Sequence, residues 1–156
     1  MAFQLERGDD FAIDKPAAQP CVHLDAGHRC VIHDRLAARG FRGCVRFSCN
    51  GAGQRVTQEV FAGVSWRDQP ELTGAMIRAF GAMRQVHEQL VLLRAASGLP
   101  LCAADRQALV ALEQDLSPPG GWSKTRLAAF EKSDTVARVA AFLQGLRGYV
   151  VDRPAS

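Results

Sequence analysis

Four cysteines lie close together, spaced Cys21-x8-Cys30-x13-Cys44-x4-Cys49, and His23, His28 and His33 share their stretch. Four thiolates in one short segment can complete a tetrahedral shell around zinc or hold an iron–sulfur cluster, because both take soft, anionic donors. Gly27, Gly40 and Gly43 give the chain places to double back. There is no CxxC pair, the compact signature of a zinc knuckle. The leading reading is one metal on Cys21, Cys30, Cys44 and Cys49. His28 or His33, beside Cys30, are the candidate substitutes for one thiolate. A packed or redox-active thiol cluster and disulfides are the alternatives. The odd total of five cysteines argues against complete pairing.

Other chemistry is thinner. His33 and Asp34 are neighbours, and neighbours on a helix point different ways, so they make a poor acid–base pair. His87 sits on an apolar stripe with Met83 and Leu90 and reads as a partly buried core histidine. Cys102 follows Gly-Leu-Pro-Leu at an expected helix start. A helix N-terminus can activate a thiol, but a small buried filler is the expected role. Asn-Gly-Ala-Gly-Gln, 50–54, lacks the Lys-Ser/Thr of a phosphate loop and reads as a turn. No convergent acid–base set suggests catalysis.

These residues need elements to position them. Pro16 and Pro20 forbid a continuous helix near the start. The pattern predicts a short helix over 33–39, stopped by Gly40. It predicts a strand or extended turn over 44–49 and a strand over 55–64, where β-branched residues collect. Pro70 then opens a long helix with Leu72, Met76, Phe80, Met83, His87 and Leu90 on one stripe. Gly74 and Gly81 within it are expected to permit close packing. A second helix is predicted over 104–116 with Leu109, Leu112 and Leu116 inward. The Ser-Pro-Pro-Gly-Gly of 117–121 is a break. Ser123 and Ser133 are expected to cap two further helices, the last burying Val136, Val139, Ala140, Leu143 and Leu146. Trp66 and Trp122 are expected packing anchors. The expected fold is mainly α: an irregular Cys-rich module with little β over 1–67, then a small helical bundle over 68–156 packed against it.

Bulk properties narrow the class. A chain of 156 residues, 47% hydrophobic and 22% charged, is long enough to bury a core without needing a metal merely to fold. No apolar run approaches the roughly 20 residues that span a bilayer. The N-terminus lacks a basic stretch followed by an apolar one, so a cytoplasmic protein with no membrane role is expected. In a reducing cytosol, clustered cysteines favour metal or redox chemistry over structural disulfides. The net charge of +3 is mild. Arg35, Arg39, Arg42 and Arg46 form a basic patch that could meet phosphate, but a solvated face is the expected role, so nucleic acid is not an expected partner.

The stretch from Asp10 to Phe61 resembles the Cys-rich module at the front of certain bacterial pentapeptide-repeat proteins. That module is similar to the YkgJ-type family of zinc- or iron-chelating proteins. The resemblance is carried by Cys21…Leu24…Cys30-x-Ile-His, by Arg-Gly-Phe-x-Gly-Cys44, by the aromatic-x-Cys49 step and by Gly-Ala-Gly-Gln. It extends to Trp66 and to Met-Arg-Gln-Val-His-Glu-Gln-Leu at 83–90. The family's upstream CxxCxxxCC cluster and its A-[DN]-L-x-x repeats have no counterpart in these residues. The resemblance implies zinc, or alternatively iron or an iron–sulfur centre. A metal-free relative that kept the fold is the other outcome. The expected function is a non-catalytic metal-binding accessory or adaptor protein that meets a protein partner or another copy of itself. The alternatives are a thiol-based redox sensor and a metal-dependent enzyme with an open coordination position.

Overall fold

The computed structural model describes residues 3–151. Seven α-helices follow one another: α1 (Arg42–Arg46), α2 (Ala52–Arg55), α3 (Thr73–Ala96), α4 (Ala103–Leu116), α5 (Lys124–Glu131), α6 (Thr135–Gly145) and α7 (Gly148–Val151). Among the described residues the only β pairing is two isolated antiparallel bridges, Leu5 with Lys15 and Leu24 with Cys30. The expected mainly-α fold, with an irregular front and a helical bundle behind it, is the one observed.

α3 is the spine. Pro70 stands in a 3-10 turn that leads into it, where its missing N–H costs nothing. Met76, Met83, Val86, Leu93 and Ala96 bury one face of the helix. Phe80 and Leu90 of the expected stripe lie at its partly buried margin. α4 turns back along α3 and buries Leu109, Leu112 and Leu116, as the spacing predicts. Ser123 caps α5 by accepting the Arg126 N–H at 3.2 Å. Ser133 stands one residue ahead of the α6 N-cap and accepts the Thr135 N–H. Trp122 is buried in the core, and Trp66 packs at its edge.

Several expectations fail. The helix expected over 33–39 is only a 3-10 turn, His33–Arg35, although Gly40 does end the stretch in the left-handed conformation. The stretch 55–64 is helical: α2 runs on through a π-helical turn, Val56–Val60, that buries Val56 and Val60. Packing on α3 overrides the β preference of its side chains. Of the strand or extended turn expected over 44–49, residues 44–46 belong to α1, and the chain turns extended only from Phe47. In α6 the buried residues are Thr135 and Val139, with Leu146 just beyond. Val136 and Ala140 are exposed, so the helix is rotated by about one residue from the expected stripe. Gly81 has nothing near its missing side chain and Gly74 meets only the tip of Arg78, so neither serves close packing.

The core also crosses the expected seam. Ala52, Val56, Val60 and Phe61 belong to the same buried cluster as α3 to α6. Among the described residues ahead of position 52, Ile32 and Phe41 are the buried apolar ones, and they stand apart from that cluster.

Candidate thiol site

The first two thiols are brought together by a tight hairpin. The Leu24 N–H donates to the Cys21 carbonyl at 3.0 Å, and Asp25 and Val31 donate to Arg29 and His23 at 2.9 Å. The Asp25 carboxylate accepts the Arg29 N–H at 2.8 Å across the turn. The Arg29 N–H foremost, helped by the Arg29 side chain and the Gly27 N–H, holds the Asp25 carboxyl below the usual carboxylate range, although burial pulls the other way. His28 takes the left-handed conformation at the hairpin's tip, φ +63°.

Cys44 arrives from α1. Phe41, at the N-cap of that helix, is buried and meets the His23 ring edge-on at 5.2 Å. The segment 10–15 braces the other side. Gly43 donates its N–H to the Asp10 carbonyl at 3.0 Å, and Arg46 pairs with the Asp10 carboxylate. The Phe11 ring lies so close over Gly43 that a Cβ there would stand 2.3 Å from it. Any side chain there would force the Phe11 ring to move.

Cys44, exposed at its end of the region, thereby comes within electrostatic reach of Cys21 and Cys30. Partial burial raises the Cys44 thiol above its ordinary range, and the negative charges of Cys21 and Cys30 raise it further. Lys15 stands on the other flank. Its side chain is buried, and its ammonium donates to the carbonyls of Phe3, Pro16 (3.0 Å) and Gln19 (3.1 Å). Burial lowers the Lys15 pKa, while the Cys21 thiolate acts in the opposite sense. Lys15 is the residue that sequence reasoning missed. A lone lysine between two prolines carries no local sign that it will be buried.

The remaining candidates are placed differently. Cys49 leans on the bundle core and is not among the charges that act on Cys44. His28 is exposed and faces the Trp66 ring at 6.0 Å, and His33 is exposed in a 3-10 turn. All five cysteines are free thiols. Among the described residues, no three His, Cys, Asp or Glu side chains converge closely enough to hold a metal ion. The three thiols of the corner are the soft donor set that zinc favours, but they are not drawn to a common point.

Cys102 is exposed rather than a buried filler. It caps α4: its sulfur accepts the Asp105 N–H at 3.5 Å and donates to the Asp105 carboxylate at 3.2 Å. Tyr149 donates to the same carboxylate at 2.6 Å, and this bond pushes its pKa up to about 12. The set ties α7 to the start of α4. His87 is half-buried. Its Nδ1 donates to the Asn50 carbonyl at 2.6 Å, fixing the turn that follows Cys49, while its buried Nε2 has no partner.

No family model matches this chain, and no solved structure matches it. It is 33% identical over 143 residues to the uncharacterized protein YybG of Bacillus subtilis. That match covers 92% of this chain and 51% of the relative, so the chain spans about half the relative's length. The similarity therefore runs through both the thiol-bearing region and the helical bundle. No described helix is long and apolar enough to cross a membrane.

Proposed function

We propose that this is a non-catalytic metal-binding accessory protein whose front region is completed by zinc on Cys21, Cys30 and Cys44. The observation that carries the reading is a mismatch. Among the described residues ahead of 52, only Ile32 and Phe41 are buried apolar side chains, yet the Cys44 thiol stands within electrostatic reach of Cys21 and Cys30. Ordering a residue costs about 1–2 kcal/mol in backbone entropy, and two buried side chains offset only a small part of that for so long a segment. A metal supplies folding free energy where a core is too small. Metal binding then draws the three thiols inward, with Cys49, His28 or His33 as the fourth donor. The chemical resemblance to chelating modules points the same way.

The accessory role rests on the surface around the thiols. Val22, Val31 and Val45, each directly after one of the three cysteines, are exposed. A metal that fixes this corner fixes those valines and the neighbouring Arg39 and Arg42 as one face for a protein partner. The test is metal analysis of anaerobically purified protein beside Cys44→Ser. About one zinc per chain, lost in the variant, is the expected result. Folded protein with no zinc, and no uptake on titration, overturns the reading.

A redox reading rests on the same proximity. Peroxide would then join two of Cys21, Cys30 and Cys44, losing two protons and two electrons as the sulfur–sulfur bond forms and peroxide is reduced to water. A disulfide among these residues, mapped by mass spectrometry and reversed by dithiothreitol, supports it. Random oxidation of all five cysteines contradicts it.

A further inference from the structure

A cleft of about 710 Å³ lies between α3 and α4, closed at one end by the 50–55 corner. Its size is that of a small-molecule site. Its floor is apolar: Leu90, Val91 and Val110 line it, and both valines keep nearly half their surface exposed. Arg94 lines one wall from α3, and Glu113 the other from α4. Among the described residues, neither side chain has a hydrogen-bond or ion-pair partner. Two opposite charges therefore border one concave apolar surface without pairing with each other.

The closed end is rigid. Arg55 is mostly buried and held by the Glu59 carboxylate at 2.9 Å. His87 is fixed by Asn50, which leaves its buried Nε2 unpartnered beside the cleft. His87 and Arg94 stand two turns apart on α3, about 10 Å along the axis. The cleft is thus long, fixed at one end and charged with both signs.

We propose that it binds a zwitterionic molecule with an apolar body, of the class of an amino acid or a short peptide. The carboxylate pairs with Arg94, the ammonium with Glu113, and the body covers Leu90, Val91 and Val110. A purely anionic ligand would meet Glu113 unfavourably, and a purely cationic one would meet Arg94. The site is separate from the thiol corner, and the metal reading can fail without affecting it.

The test is a methyl-NMR titration of the full chain with 6-aminohexanoate, beside hexanoate and hexylamine. The expected result is saturable shifts at Val91 and Val110 with 6-aminohexanoate, and binding about tenfold weaker for either single-charge probe. Arg94→Gln and Glu113→Gln each weaken 6-aminohexanoate about tenfold, the effect of losing one charged hydrogen bond. Arg94 is exposed and Glu113 sits at the surface of α4, so both variants fold. Absence of saturable shifts overturns the proposal. So does hexanoate or hexylamine binding as tightly as 6-aminohexanoate, or binding that neither variant weakens.

Discussion

From Ala52 to Leu146, nineteen buried side chains form one continuous cluster, while the chain ahead of them buries Ile32 and Phe41 apart from it. The two regions are held by different means. The bundle is held by apolar burial along α3, and each helix end carries its own cap or turn. The front region is held mainly by polar ties, the 21–30 hairpin and the Lys15 ammonium among carbonyls, beside the small apolar contact of Phe11 on Gly43. Such ties each contribute about 1 kcal/mol net, whereas a fully buried leucine contributes two to three times that. The contrast teaches where stability resides and which region has room for an added cross-link.

The contrast can be broken from the bundle side first. Leu116 is fully buried where α4 meets the rest of the core. Leu116→Ala is expected to cost about 2–5 kcal/mol, read as a lowered urea midpoint, with the front region lost in the same transition. A front region that unfolds separately in this variant would show that it does not lean on the bundle.

Gly43→Ala attacks the other side. The added methyl collides with the Phe11 ring, at an expected cost of about 1–3 kcal/mol. Hydrogen exchange should quicken over 5–46 and stay unchanged in α3 and α4. Uniform quickening would mean that the two regions share one cooperative unit.

Glu59 sharpens the comparison, because it serves the bundle through charge rather than apolar burial. Burial alone would raise its pKa. The Trp122 N–H at 2.8 Å, Arg55, and the His87 charge outweigh that and hold it below the usual range. Gly121 is required beside it: its φ is +75°, and a Cβ would stand 2.9 Å from the carboxylate. A lowered carboxylate pKa stabilises the fold above the unfolded value, about 4.3, and that stability is lost as pH falls through the folded value. Thermal unfolding midpoints should therefore drop below about pH 4. Glu59→Gln should flatten that drop while lowering the midpoint at neutral pH. An unchanged acid profile in Glu59→Gln would place the effect elsewhere.

The smallest expected effect is Ser123→Ala. Losing the cap on α5 costs about 1 kcal/mol, measured as a small shift in the urea midpoint with no change in the front region.

Much of the bundle is legible in the sequence because its information is local. Leu109, Leu112 and Leu116 repeat at helical spacing, and prolines and glycines mark the ends of their helix. The segment 55–64 is not legible in that way. Val56, Thr57 and Val60 favour a strand by type, and only their seat on α3 makes the four-residue step from Val56 to Val60 decisive. The thiol corner is legible by residue type and illegible by grouping. Cys44 joins Cys21 and Cys30 because Phe41 meets His23 and Gly43 receives Phe11, contacts between residues far apart in sequence. Cys49, only five residues further on, is carried away by the turn at Asn50 and Gly51 onto the bundle. Nothing local distinguishes it from the other three.

The central claim is that the bundle stands on its own core while the front region is completed through its thiols. Hydrogen exchange of the reduced protein, with and without one equivalent of zinc, tests it most directly. Protection over 10–46 is expected to rise on adding zinc, with no change in α3 and α4. Equal protection of the front region with and without zinc would contradict it.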